Sequence, residues 1–450
     1  MNLAFIGTGY VGLVTGTCFA DLGHQVICLD NDRDKIASLK TGKLPIYEPG
    51  LEELFVRNMA RGRLQFTDDF KWAIDSSEII FITVGTPDKG NGDADLSAIE
   101  AVTRKIGSLI SDYKLVVEKS TVPVETGKWI EYTIRLNNRK SVQFDVASNP
   151  EFLREGSAVQ DFLNPDRIVI GVENPRSEGI LRKLYESFSV PLIVTDIKTA
   201  ELIKHASNSF LATKISFINA IANICERVGA DVMKVAEAIG LDHRIGENFL
   251  SPGIGFGGSC FPKDISAFVR LAEKVGYDFK LLKAVQEINQ DQIRLLIRKI
   301  ENALWILEGK TIGVLGLAFK PGTDDLRNAP SLTLIEQMLK EGAQLKVYDP
   351  QAMEKMKTLY PQLIYCADPY EVAKESDCLV LVTEWDEFKN LSMQTVKTLM
   401  KQPILIDGRN LYDPVEMTQI GFRYIGIGRK QWSPQENQAL EWAKPFYNNL

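Results

Sequence analysis

Cys260 has the strongest claim on chemistry in this sequence. It follows Gly253, Gly255, Gly257 and Gly258, which expose backbone N–H groups and leave room for a ligand. A predicted helix begins directly after it, with Pro262 at a plausible N1 position and Lys263 alongside. A thiol at a helix N-terminus beside a cation has its thiolate favoured. A thiolate adds to an aldehyde to give a thiohemiacetal, which loses hydride to become a thioester that water opens to an acid. The plainer reading is a buried structural thiol, which cysteine base rates favour; the glycine run shifts the balance to function. The other five cysteines (Cys18, Cys28, Cys225, Cys366, Cys378) fall in strand or helix patterns as small core residues, without CxxC pairs.

Three further groups bear on the same chemistry. Lys204 and Asn208 are four residues apart on one face of a predicted helix. They are either its solvated edge or a clamp for a developing alkoxide, and pattern alone allows both. In NPEFLREG, Glu151 and Glu155 flank Arg154 after a strand end; they are first-turn helix acids or carboxylates over a substrate. Asp264 lies one helical turn after Cys260, placed to orient Lys204 or a water, or to favour the helix start.

A hydride acceptor is suggested by GTGYVG at 7–12. A strand precedes it, a helix closed by Gly23 follows, and a second strand ends in Asp30. In that setting Gly7 makes the tight turn, Gly9 admits a pyrophosphate to the backbone and Gly12 lets helix pack on strand. Tyr10 and Val11 complete the loop, whose helix N-terminus presents free N–H groups to phosphates. Asp30 accepts from ribose hydroxyls and repels a 2′-phosphate, which predicts NAD over NADP. Lys35 is a ribose or adenine contact, or a solvated lysine. Two other strand ends, at Thr86 and Thr121, point to the same crevice; Thr121 also reads as an N-cap. A dinucleotide and an activated cysteine together predict oxidation of an alcohol to the acid level.

These residues need a scaffold. LAFIG, QVICLD, IIFITVG, LVVEKS, FDVAS and RIVIGV alternate with amphipathic stretches, the pattern of βαβ units on a parallel sheet. From Thr199 to Gly229 apolar residues recur at helical spacing, predicting a helix about 45 Å long at about 1.5 Å per residue. More helix is predicted from Pro262 to Leu307. KTIGVLG, QLKVYD, CLVLVT, PILIDG and FRYIGIG then restart the alternation. The expected fold is α/β: two Rossmann-like doubly wound domains, at 1–198 and 309–450, joined by a helical region at 199–308. GVLGLAF does not fit G-x-G-x-x-G, which argues against a second dinucleotide site.

The net charge of −7 argues against nucleic acid as partner. No apolar run approaches the ~20 residues that cross a bilayer, and the N-terminus lacks the basic start of a signal peptide, so a cytoplasmic protein is expected. His24, His205 and His243 are isolated, so no metal site is expected.

Along nearly its whole length the chain resembles the nucleotide-sugar dehydrogenases, and among them those that oxidise UDP-glucose. The resemblance runs through GTGYVG, VGTP, STVP, NPEFLREG, KHASNSFLATKISF, RIGENFLSPGIGFGGSCFPKD, LGLAFKPGTDDLRNAPS and DGRN. It implies four-electron oxidation with two NAD, through a thiohemiacetal and thioester on Cys260. Lys204 then resembles the oxyanion stabiliser, while Asn208 and Asp264 position the substrate oxygen, water and lysine. Glu151 resembles the hydrolytic base, with Thr121 helping to place water; Glu155, Lys263 and Arg327 resemble cofactor contacts. Phe152, Leu153, Arg154 and Glu155 resemble substrate contacts, as do Phe249, Leu250, Ser251, Pro252, Gly253 and Gly257 around the sugar nucleotide. Lys320 and Arg409 resemble contacts in the C-terminal domain. Arg244 resembles a residue that reaches a neighbouring subunit, implying at least a homodimer. Enzymes acting on GDP-mannose share the architecture; a two-electron β-hydroxyacid dehydrogenase would not need Cys260, and a non-catalytic NAD sensor would not need Lys204 or Glu151.

Overall fold

Short apolar runs with both faces covered build the first sheet. Its strands are β1 (Asn2–Ile6), β2 (Gln25–Leu29), β3 (Leu64–Thr67), β4 (Ile79–Ile82), β5 (Lys114–Glu118), β6 (Phe144–Ser148), β7 (Ile168–Gly171) and β8 (Leu192–Thr195). Their order is β3-β2-β1-β4-β5-β6-β7-β8. Alternate residues feed two cores: Leu3, Phe5, Phe81 and Val117 enter one, Ala4, Ile6, Ile80 and Val116 the other. That double burial is why these strands read as continuous apolar runs. All pairs are parallel except β6 with β7, which meet antiparallel at Ser148 and Gly171.

The computed structural model describes residues 1–430. It divides into a unit of Met1–Ser209 with Lys263–Phe279, and a unit of Phe210–Pro262 with the chain from Lys280 onward. The expected C-terminal limit at residue 450 lies outside the described residues.

The second unit carries a six-stranded parallel sheet. Its strands are β9 (Thr311–Leu315), β10 (Gln344–Tyr348), β11 (Ile364–Tyr365), β12 (Cys378–Leu381), β13 (Ile404–Asp407) and β14 (Arg423–Ile425). Their order, β11-β10-β9-β12-β13-β14, repeats that of the first six strands of the other sheet. Both sheets therefore reverse direction beside their first strand, where doubly wound folds bind ligands.

The expected strands are present, and three more join them. LQFT (β3) is short and follows a charged turn, LIVT (β8) is a partly exposed edge, and β11 has only two residues. The long helix runs Ile197–Val228 and ends at Gly229, whose φ of 76° is the left-handed conformation that closes a helix. The helix expected from Pro262 to Leu307 is two helices, Phe261–Lys274 and Lys280–Leu304. Gly276, at φ 79°, sits in the break. Pro262 is thus the second helical residue, one later than expected.

Candidate active site

At the carboxyl ends of β1 and β4, backbone geometry dictates glycine. Gly7 has φ 107°, and a Cβ there would lie 2.7 Å from the Thr83 carbonyl oxygen. A Cβ at Gly12 would fall 1.9 Å from the Gly7 carbonyl oxygen. At Gly9 a Cβ would meet no protein atom within 4 Å. Steric packing thus explains Gly7 and Gly12, while Gly9 faces open space beside the uncapped N-terminus of helix Tyr10–Asp21. Free N–H groups and open space are what a pyrophosphate needs. Asp30, buried at the end of β2, accepts from Thr8 N (2.9 Å), Thr8 Oγ1 (2.6 Å), Asp32 N (3.1 Å) and Lys35 Nζ (2.7 Å). Burial raises its carboxyl, but the Lys35 and Thr8 hydrogen bonds outweigh this and hold it below its ordinary value. Lys35 is therefore paired with Asp30 and is not a free surface lysine.

Val11 lies within that first helical turn. Tyr10 turns to a residue the sequence reading overlooked. Its hydroxyl donates to Glu48 Oε2, and Glu48 also accepts from Gly156 N (2.6 Å) and Ala158 N (2.7 Å). This clamp explains why 149–157 is a loop: the helix begins only at Ala158. Glu151 and Glu155 are consequently not first-turn helix acids; both are buried loop carboxylates.

Glu151 Oε1 accepts from Lys204 Nζ at 2.9 Å, and its Oε2 accepts from Leu153 N at 2.6 Å. The Lys204 and Glu151 side chains are 4% and 5% exposed, which excludes the solvated-edge reading of Lys204. The Phe152 ring lies 5.5 Å from Lys204 Nζ and 3.9 Å from the Arg167 guanidinium. Arg154 turns outward to Asp161, at 2.6 Å. One helical turn along, Asn208 Nδ2 donates to Asp264 Oδ2 at 2.7 Å. Asp264 is buried and also faces Lys263 Nζ at 3.1 Å. Lys263 in turn reaches Thr86 Oγ1 (3.2 Å), and Thr86 Oγ1 donates to the Thr121 carbonyl (2.8 Å). Asp264 is thus paired with Asn208 and Lys263, while Lys204 is paired with Glu151. Thr121 is not an N-cap, because helix Thr126–Asn137 is preceded by Glu125.

The glycine-rich segment before Cys260 is held in the second unit by three asparagines that spacing did not reveal. Asn219 Oδ1 accepts from Gly253 N (2.8 Å). Asn289 brackets Phe256, accepting from its N (2.8 Å) and donating to its O (3.0 Å). Asn328 Nδ2 donates to Gly258 O (3.1 Å). Side-chain amides, carrying both donor and acceptor, replace the ladder partners that a loop lacks. A Cβ at Gly257 would lie 2.2 Å from the Asn328 carbonyl oxygen, and one at Gly258 2.7 Å from the Phe319 ring, so both approaches require glycine. Arg409 joins this loop to the end of β13, donating to Val382 O (2.8 Å), Gly255 O (3.3 Å) and Phe319 O (3.3 Å). Lys320 Nζ lies 5.4 Å from the Phe319 ring centre. Phe249 takes φ 65°, Leu250, Pro252 and Gly253 are buried, and Ser251 is exposed. Cys260 is half-buried, with Ser259 Oγ 3.5 Å from its Sγ, whereas the other five cysteines are buried. Arg327 pairs with Asp325 (2.7 Å) and Arg244 with Asp242 (2.5 Å), both guanidinium side chains largely exposed.

Three domain models of the UDP-glucose/GDP-mannose dehydrogenase family match in order: the NAD binding domain over residues 1–189, the central domain over 198–291 and the UDP binding domain over 313–414. The chain belongs to this family. It is 50% identical to the UDP-glucose 6-dehydrogenase TuaD of Bacillus subtilis (strain 168), over 95% of this chain and 93% of that one. It is 48% identical to the UDP-glucose 6-dehydrogenase of Rhizobium meliloti (strain 1021), over 95% and 100%. Among solved structures it is similar to a UDP-glucose dehydrogenase from the hyperthermophilic archaeon Pyrobaculum islandicum, with a TM-score of 0.89 and 39% identity over 95% of this chain and 98% of that one. The fold and the cofactor thus agree with the sequence reading: two doubly wound α/β units, a long helix, and an NAD-binding domain with the open Gly9 position and Asp30 at its crevice. Among the described residues no helix is long and apolar enough to cross a membrane.

Proposed function

We propose that this member of the family oxidises UDP-glucose to UDP-glucuronate, consuming two NAD and one water per sugar. The observation that carries the mechanism is the buried Lys204–Glu151 pair, with Asn208 and Asp264 bonded one helical turn away. Burying an ion pair costs desolvation that apolar residues would avoid, and such costs concentrate at functional sites. The relatives' activity supports the choice of sugar nucleotide.

NAD, when bound, supplies the hydride acceptor for both oxidations. The chain's own residues do the rest. Asp30 and Lys35 hold the adenosine ribose, and the 7–12 turn holds the pyrophosphate. Thr86, Glu155, Lys263 and Arg327 complete the cofactor contacts. Lys204 stabilises the negative charge that develops on the substrate oxygen, with Asn208 and Asp264 orienting it. Cys260 adds through Sγ to the aldehyde carbon, and hydride loss from the thiohemiacetal leaves a thioester. Glu151 removes a proton from water, which Thr121 helps to place, and the C–S bond breaks to release the carboxylate. Phe152, Leu153 and Arg154, the 249–253 segment, Gly257, Lys320 and Arg409 hold the sugar nucleotide.

The division into 1–198, 199–308 and 309–450 is part of this reading, as are a cytoplasmic location and a homodimer to which Arg244 contributes. The homodimer is supported by Phe210, Phe217, Ile224 and Val228, exposed apolar residues spaced along one side of the long helix.

The test is stoichiometric. With excess NAD and limiting UDP-glucose, two NADH per sugar are expected. Cys260→Ser should abolish acid formation while NAD binding persists. One NADH per sugar from the unaltered protein, or an unchanged steady-state rate in Cys260→Ser, removes the thioester route. No NADH from UDP-glucose but turnover of GDP-mannose replaces the substrate.

A further inference from the structure

A buried lysine outside the residues given roles above holds the start of the loop that carries Glu151. We propose that Lys119 is a positioning residue for the hydrolytic step, fixing the start of the 149–157 loop and supplying a positive charge that acts on Glu151. This rests on the reading of Glu151 as the hydrolytic base.

Lys119 is the first residue past β5 and only 4% exposed. Its Nζ donates to Asn149 Oδ1 (2.9 Å) and Asn149 O (3.3 Å), two residues before Glu151. Asn149 is bound on every side: its N donates to Glu118 O (2.8 Å), its Nδ2 to Val169 O (2.8 Å), and its Oδ1 also accepts from Tyr185 OH (2.5 Å). Packing alone does not explain the lysine. Both acceptors on Asn149 are neutral, so a neutral donor would satisfy them without the cost of a buried ammonium.

The charges around it supply the explanation. Burial pulls the Lys119 ammonium down to about 8, and the Glu151 carboxylate is the largest force holding the proton on. Glu118, next on the same strand, acts with Glu151, while Lys204 on the long helix acts against it. Burial, with Glu201 of the long helix nearby, raises the Glu118 carboxyl well above the ordinary range despite the Ser148 hydroxyl at 2.9 Å. Glu151 is therefore bonded to one buried lysine, Lys204, and its carboxylate helps hold the proton on a second, Lys119, whose Nζ is bonded two residues away at Asn149. The sign follows: the charge is present below about 8 and is lost as pH rises through it. Its loss weakens the charge-assisted hold on Asn149 and the field on Glu151.

The experiment compares Lys119→Met, which keeps length without charge, with Lys119→Arg, which stays charged to high pH; Glu151→Gln runs in parallel on the full chain. For Lys119→Met, kcat with UDP-glucose should fall about tenfold to a hundredfold, as for a displaced catalytic group. NAD affinity and melting temperature should hold, and an acyl adduct on Cys260 should accumulate in intact-mass spectra. The unaltered protein should lose rate as pH rises through about 8. That limb should move upward in Lys119→Arg and vanish in Lys119→Met. An impaired Glu151→Gln beside a Lys119→Met of normal kcat overturns the Lys119 proposal alone. So does an alkaline limb unmoved in Lys119→Arg. Normal turnover in Glu151→Gln overturns the base assignment, and Lys119 falls with it.

Discussion

At the residue scale, the proposed preference for NAD comes down to one carboxylate, Asp30. It follows β2, is held below its ordinary value by hydrogen bonds from Lys35 and Thr8, and in the proposed function meets the adenosine ribose. A 2′-phosphate there would confront a desolvated negative charge, and repulsion in a low-dielectric setting is strong. Asp30→Ala should therefore lower the preference for NAD over NADP by about tenfold or more, equivalent to about 1.4 kcal/mol. Measuring kcat/KM with each cofactor decides this, and an unchanged ratio sinks it. Lys35 should then lose its partner, so Lys35→Ala alone should weaken NAD binding less than Asp30→Ala.

At the scale of elements, the turn after β1 separates glycines that packing requires from one that packing leaves open. A Cβ at Gly12 would collide with the Gly7 carbonyl, whereas one at Gly9 would touch no protein atom. Gly12→Ala should destabilise the first unit by about 3 kcal/mol, the cost of overpacking against backbone. Gly9→Ala should leave the melting temperature unchanged and yet weaken NAD binding. Calorimetry with a cofactor titration separates the two; a Gly9→Ala protein that binds NAD normally would remove the pyrophosphate from that position. This motif was legible in the sequence because its spacing is local. So were the long helix, whose apolar repeat runs unbroken to Gly229, and the strands buried on both faces. What stayed hidden depends on partners far along the chain. The 149–157 loop is irregular because Glu48, about a hundred residues away, takes its N–H groups. The glycine loop before Cys260 is held by Asn219, Asn289 and Asn328, which nothing local marks. Edge strands β8 and β11 escaped because they lack the double burial that makes a strand readable.

At the scale of the molecule, two units with one strand order carry different chemistry, and the ends of their second strands show why. Asp349 follows β10 as Asp30 follows β2, but Asp349 is 1% exposed and accepts from five donors: Leu317 N, Ala318 N, Gln351 N, Ala352 N and Trp385 Nε1. Its acceptor capacity is spent on the protein, so the carboxylate at this position has none left for a ribose, in keeping with the match of this unit to a UDP binding domain. The long helix supplies the last argument. Phe210, Phe217 and Ile224 recur every seven residues, with Val228 four further on, and all four side chains are exposed. An apolar stripe on an otherwise amphipathic helix is stabilised by a matching stripe, and a two-fold pairing makes one stripe serve both copies. Phe217→Glu would set like charges against each other across such an axis. Light scattering should give a homodimer for the unaltered protein and a shift to monomer for Phe217→Glu at the same concentration. If Phe217→Glu keeps the mass of the unaltered protein, the stripe is not the interface, and the contribution assigned to Arg244 loses its geometric basis.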